Sequence, residues 1–135
     1  MGSIVALDVG DVRVGIARAD AIARIAAPLT TLQRGKAFWQ DLEHLLGEES
    51  AEKVIIGLPR NLSGDDTEQT CRVRKFAHEL EERIALPWAF QDEALTSQKA
   101  EETLRASKKP YSKPDIDAHA AMYILDDYLL TRGVV

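Results

Sequence analysis

The stretch Ser3 to Arg18, SIVALDVGDVRVGIAR, constrains the fold more than any other part of the chain. It holds two short aliphatic runs, Ser3 to Val9 and Arg13 to Arg18, with too few residues between them for a helix or a crossover. Two strands joined so tightly must run antiparallel. Gly10-Asp11 fits a two-residue hairpin turn, with glycine at the first central position as a type II′ turn requires. Ile22 to Leu32 has room for a third strand, interrupted or ended near Pro28, so the chain opens as an antiparallel meander.

The rhythm then changes. Phe38, Leu42, Leu45 and Leu46 recur at helical spacing, followed by a strand over Lys53 to Ile56 and a breaker at Gly57-Leu58-Pro59. Thr67 to Ile84 predicts a helix whose stripe is Val73, Phe76, Ala77, Leu80 and Ile84, capped by Asp65 or Asp66. Pro87 to Gln91 reads as a strand. Thr96 caps a helix to about Ala106, stapled by Leu95, and a last helix runs from Asp115 to about Thr131. The order β-β-β-α-β-α-β-α-α predicts an α/β fold: a mixed five-stranded sheet, meander plus parallel strands, flanked by helices. With 135 residues and no linker or repeat, the expected organisation is one domain over 1–135. A hydrophobic share of 45% with 29% charged residues is that of a folded globular chain, which excludes general disorder. No apolar run spans a bilayer, and the lone Cys71 allows no intrachain disulfide, so a cytoplasmic protein without a membrane partner is expected.

Four acids stand where acids are costly. Asp8 ends an aliphatic strand, where carboxylates are rare unless paired, metal-bound or taken up by the following turn. Asp92-Glu93 ends another strand; alternation points only one of the two toward Asp8, while the helix dipole alone could explain two acids there. Asp117 heads the stripe Ala120, Ala121, Ile124, Leu125 and Tyr128, and Asp115, about 200° away, suits an N-cap. Ligands gather beyond the carboxyl ends of such strands. Convergence of these carboxylates would suit one or two Mg²⁺ or Mn²⁺ ions, because hard cations take oxygen ligands. His44, His78 and His119 lack zinc spacing, and His119 suits a surface or capping role. No nucleophilic-serine, Walker or dinucleotide motif is present.

The net charge of −5 argues against holding nucleic acid by bulk electrostatics, but not against brief handling at a metal site. Without Asp8, Asp92, Glu93, Asp115 and Asp117, the rest of the 22 acids balance the 17 bases, so the acidity is partly local. Arg13, Arg60, Arg72, Arg74, Lys75, Lys108, Lys109 and Lys113 are the bases that could hold phosphates, the last three in a Pro-bounded loop that equally suits plain solvation. Cys71, Trp39 and Trp88 read as packing residues.

Asp8-Val-Gly-Asp-Val-Arg13-Val-Gly15 resembles the opening D-x-G-x-x-R-x-G of the YqgF family, also called RuvX. Ile56-Gly57-Leu58-Pro59 with Asn61 and Gly64, Asp92-Glu93 with Leu95-Thr96-Ser97, and Ile116-Asp117 before Ala120-Ala121 agree in order. That family comprises Holliday-junction-resolvase-like proteins now usually described as pre-16S rRNA nucleases. The resemblance implies a ribonuclease-H-like fold and metal-dependent endonuclease action, with maturation of the 16S rRNA 5′ end as the task and branched DNA as the alternative substrate. It implies that Asp8, Asp92, Glu93 and Asp117 are catalytic, with Asp8, Glu93 and Asp117 on the metal. Arg13, Arg60, Asn61, Arg72, Lys109 and Lys113 would then contact nucleic acid, in a monomer or a homodimer. Val12, Ala19 and Ala94 replace the family's usual lysine, serine and arginine, three changes expected to remove groups facing substrate. Two other classes fit parts of the pattern: an actin-like ATP-binding enzyme, which would need a second domain, and a non-catalytic nucleic-acid-binding module.

Overall fold

A computed structural model describes residues 2–61, 63–93, 105–106 and 113–132. Strands β1 (Ser3–Val9), β2 (Arg13–Asp20) and β3 (Ala26–Gln33) make the meander. Helix α1 (Phe38–Glu48), β4 (Ala51–Pro59), α2 (Glu68–Arg83), β5 (Trp88–Glu93) and α3 (Lys113–Arg132) follow. The sheet order is β3-β2-β1-β4-β5, antiparallel on the meander side and parallel from β1 through β4 to β5. This is the expected mixed five-stranded α/β sheet. The helix expected over Thr96 to Ala106, with its Leu95 staple, lies outside the described residues apart from helical Arg105-Ala106.

Alternation along the strands divides the core in two. Val5, Leu7, Val14, Ile16, Val54, Ile56 and Leu58 face α1 and α2, where the predicted stripe of Val73, Phe76, Ala77, Leu80 and Ile84 is buried. Ile4, Ala6, Ala17, Ala19 and Ile55 face α3, meeting Ala121, Ile124, Leu125 and Tyr128. Small residues on this second face let α3 lie close: a β-carbon on Gly57 would overlap Ile124 Cδ1.

Several local expectations are corrected. The hairpin turn is shifted by one residue: Gly10 N donates to Arg13 O at 2.9 Å, leaving Asp11 and Val12 as its centre. Gly64 is the only described glycine with positive φ, so the turn is not type II′. Gly10 is needed for space instead, since a β-carbon there would stand 2.7 Å from Arg13 O. Gly57-Leu58-Pro59 does not break β4 but completes it, pairing with Gln91, Asp92 and Glu93. Pro28 is accommodated within β3 because that strand is an edge, with a register shift beside it. Cys71 is exposed rather than packed, whereas Trp39 and Trp88 do pack against the core. Ala19 is fully buried in the α3-side core and so does not face a substrate. Asp126 and Asp127, off the apolar stripe of the last helix, are half-buried.

The cap of α2 is Thr67, not Asp65 or Asp66. Its hydroxyl accepts from Thr70 N at 3.3 Å, and Thr70 Oγ1 accepts from Thr67 N at 2.9 Å. The buried Thr70 hydroxyl also donates to Pro59 O, tying α2 to the end of β4. Thr70→Val keeps the shape but strands Thr67 N and Pro59 O, so a loss of about 2 kcal/mol is expected in urea denaturation. Asp115 likewise lies inside the first turn of α3 rather than at its cap, still where the dipole favours an acid.

Candidate active site

Asp8 is the last residue of the central strand to face α3, and it pairs directly with Gly15 of β2. A β-carbon on Gly15 would overlap the Asp117 carbonyl and come within 2.9 Å of Ala118 N. Glycine there lets the first turns of α3 rest on β2 and brings Asp117 beside Asp8. Asp117 heads the buried stripe as expected, with Ala120 and Ala121 fully buried behind it. Burial first, and the Asp117 charge second, push the Asp8 carboxyl up from its ordinary 3.8 to about 7.

Arg13 lies on the same face, two residues before Gly15. Its Nε donates to Asp117 Oδ2 at 2.9 Å, and each side chain is 20% exposed. A residue expected to hold nucleic acid thus has a carboxylate as its partner. The two are 104 residues apart, and no spacing rule links them. The only sequence hint was that both stand in strongly patterned segments.

Register separates the acidic pair. Glu93 pairs with Pro59 and falls on the α3 face with Gly57 and Ile55; Asp92 pairs with Leu58, which faces α1 and α2. Asp92 is 65% exposed and its Oδ1 lies 3.7 Å from Arg60 Nε. Glu93 is half-buried, with Oε1 shut off from solvent. Among the described residues no three His, Cys, Asp or Glu side chains are gathered as a ready-made metal site. What is assembled is the Asp8, Asp117 and Arg13 group, with Glu93 further along the same face.

Three other arginines expected at nucleic acid lie near acids. Arg60 Nε is 3.4 Å from Asp66, Arg74 Nε 3.2 Å from the same carboxylate, and Arg72 Nε 3.4 Å from Asp11. Asn61 shapes its own loop, its Oδ1 accepting from Ser63 N at 3.0 Å and Asp65 N at 2.9 Å. Lys108, Lys109 and Ala94 lie outside the described residues, and Lys113 is the first residue of α3. Val12, at the hairpin tip, is 60% exposed. His119 lies inside α3 and caps no helix end; its Nδ1 is 3.0 Å from Asp115 O, one turn back in the same helix.

A central strand ending in a carboxylate, inside a β3-β2-β1-β4-β5 sheet and faced by an acid-headed helix, defines a ribonuclease-H-like protein. RuvC of Thermus thermophilus, solved with a Holliday junction substrate, superposes with a TM-score of 0.56 at 12% identity, covering 98% of this chain and 97% of that one. The Fowlpox virus resolvase, solved with junction DNA, gives 0.55 at 11% identity over 98% and 99%. These likenesses establish the fold.

The chain belongs to the RuvX family, whose model, described as Holliday junction resolvase, matches residues 2–131. A Chloroflexus aurantiacus relative named "Putative pre-16S rRNA nuclease" is 42% identical over 134 residues, 96% of this chain and 87% of that protein. A Crocosphaera subtropica relative of the same name is 40% identical over 135 residues, 96% and 94% of the two chains.

Proposed function

We propose that this protein is a divalent-metal-dependent endonuclease that cleaves RNA, with processing of the 5′ end of pre-16S rRNA as its task. The carrying observation is the placement of Asp8 and Asp117 side by side across Gly15 at the end of the central strand. The names of the relatives support the substrate.

The donor set fits a hard cation. Asp8, Asp117 and Glu93 offer only carboxylate oxygens on one face, and burial first, with the Asp117 charge second, disfavours the ionised Asp8 carboxyl until a cation joins it. Mg²⁺ suits such a site because it keeps several waters and takes one or two carboxylates plus substrate phosphate oxygens. When bound, Mg²⁺ or Mn²⁺ would supply positive charge to the scissile phosphate and acidify the attacking water. The chain's own residues do the rest. Asp8 and Asp117 would hold the cation, with Glu93 further along the same face. Arg13 orients the Asp117 carboxylate beside Asp8 through its hydrogen bond. Arg60 and Arg72 stand at the same end of the sheet, where a phosphate backbone can exchange for Asp66, Asp92 and Asp11 as their partner. Cytoplasmic work is in keeping with the described helices, none of which is long and apolar enough to cross a membrane.

A second reading, a nuclease for branched DNA, is favoured by the family description and by the resolvase-like fold. A symmetric junction would call for a homodimer, whereas a monomer suffices for an RNA end.

The test is cleavage of a labelled RNA spanning the 16S 5′ leader, and of a four-way DNA junction, with Mg²⁺ or Mn²⁺. Wild type is expected to cut the RNA. Glu93→Gln should lose about 100-fold or more, and Asp92→Asn should stay within about threefold, since only Glu93 faces the carboxylate pair. Cutting of the junction alone moves the second reading ahead. No cutting of either overturns the nuclease.

A further inference from the structure

The turn that follows Asp8 is fastened from the other side of the sheet by Arg34. Its backbone N donates to Val12 O at 2.8 Å, and its Nη1 donates to Gly10 O at 3.0 Å. The guanidinium lies 5.3 Å from the centre of the Phe76 ring, on the face covered by α1 and α2. Arg13, Arg60, Arg72 and Arg74 each stand beside a carboxylate. The side chain of Arg34 instead meets a carbonyl and a ring. A guanidinium carries several donors in a fixed fork, so one bond to Gly10 O orients the others without neutralising the charge.

A groove of about 380 Å³ opens at this cation, lined by Asp11, Arg34, Gly35, Phe38 and Trp39. Its two rings are already engaged: Phe38 and Trp39 both pack on Phe76, and Arg83 lies over Trp39. They wall the groove and leave recognition to the charged groups. Asp11 is the one acid of the lining, and Arg72 Nε stands 3.4 Å from it. Arg34 and Arg72 together outweigh that carboxylate. A β-carbon on Gly35 would meet nothing within 4 Å, so the groove is open there. A singly charged anion with more than one oxygen, such as a phosphodiester, suits a guanidinium held in this way. The position suits it too. Gly10 is the second residue after Asp8, at most about 7 Å along the chain. A strand whose scissile phosphate lies at Asp8 and Asp117 has only to cross the turn to bring another phosphate to the groove.

We propose that this groove is a second phosphate site for the nucleic-acid strand, with Arg34 as its cation, on the opposite face of the sheet from the carboxylate pair. It rests on the nuclease reading and adds a path to it. The substrate crosses the β1–β2 turn, and the residue that grips the further phosphate is the one that fastens that turn behind Asp8.

The experiment reads the salt dependence of binding, which counts neutralised phosphates. Full-length Asp8→Asn protein is titrated with a labelled single-stranded leader RNA between about 50 and 200 mM KCl, without divalent ions. Arg34→Gln is expected to weaken binding about five- to tenfold and to flatten the slope of log affinity on log salt by about 0.7, one phosphate on a single strand. Arg34→Lys keeps the charge and gives up the fork, so its slope should match the parent's. Gly35→Glu leaves both Arg34 bonds in place and sets a carboxylate at the groove, so it should weaken binding by a similar factor. Arg24→Gln, in the hairpin between β2 and β3 at the far end of the sheet, should change neither quantity. DNA of the same sequence should show the same flattening in Arg34→Gln, since a phosphate carries no sugar information. Melting temperatures confirm that the variants are folded. An unchanged slope in Arg34→Gln, equal flattening in Arg34→Lys or Arg24→Gln, full affinity in Gly35→Glu, or flattening with RNA alone overturns the phosphate site and leaves the nuclease standing. Failure of the parent to bind either nucleic acid overturns both.

Discussion

Asp8→Asn is expected to cut no substrate, yet to melt at a higher temperature than the native protein at pH 8. The Asp8 carboxyl is raised from 3.8 to about 7 by burial and by Asp117, so its ionised form is disfavoured in the fold and free in the unfolded chain. Between those two values the folded state holds the extra proton. Stability therefore falls as pH climbs from about 4 to about 7, and is flat above that. The asparagine variant lacks this loss, and a gain of up to about 4 kcal/mol at pH 8 follows from the size of the shift. Near pH 4 the two proteins should melt together. Thermal denaturation from pH 4 to 8 checks this directly, and a constant difference across that range would mean Asp8 is solvated. Added Mg²⁺ should raise the native melting point and leave the variant's unchanged, since the cation does for Asp8 what the mutation does. Activity and stability are opposed at this residue, as expected where charge is held for chemistry.

The parts of the fold legible in the sequence are those that depend on near neighbours. Aliphatic runs around a short connection fix β1 and β2, and the stripe from Val73 to Ile84 fixes the buried face of α2. Errors arise where a residue's reason lies elsewhere in the chain. Gly57 reads as a breaker, but its lack of a side chain serves Ile124, which packs on it from α3. Gly10 reads as a positive-φ turn residue, but it makes room for Arg13 O. The candidate site divides the same way. Asp8 and Asp117 stand out locally, as acids on apolar patterns. The choice between Glu93 and Asp92 needs the register of β5 on β4, and the Arg13 to Asp117 pair needs the whole fold. Three acids at the ends of separate elements can be suspected from sequence; their relative depth cannot.

Gly15→Ala tests whether the seating of α3 is what builds the site. The added methyl would overlap the Asp117 carbonyl, which is helix backbone and has no rotamer to turn aside. The first turns of α3 must lift, against the pull of Ala120, Ala121, Ile124 and Leu125, all buried behind them. A loss of about 3 kcal/mol is expected by urea denaturation, the cost of overpacking a rigid contact. Gly57→Ala is the control, because its methyl meets only the end of the Ile124 side chain, and about 1 kcal/mol is expected. The two should differ more in chemistry than in stability. Lifting the helix start moves Asp117 away from Asp8, so the Asp8 carboxyl should titrate closer to its ordinary value in Gly15→Ala and stay near 7 in Gly57→Ala. Carboxyl-carbon NMR titration reads that shift, and cleavage per folded molecule should fall only in the first variant. If the two alanine variants titrate alike, the contact of α3 with Gly15 does not set the surroundings of Asp8, and the buried stripe of α3 with the Arg13 bridge holds Asp117 in place without it.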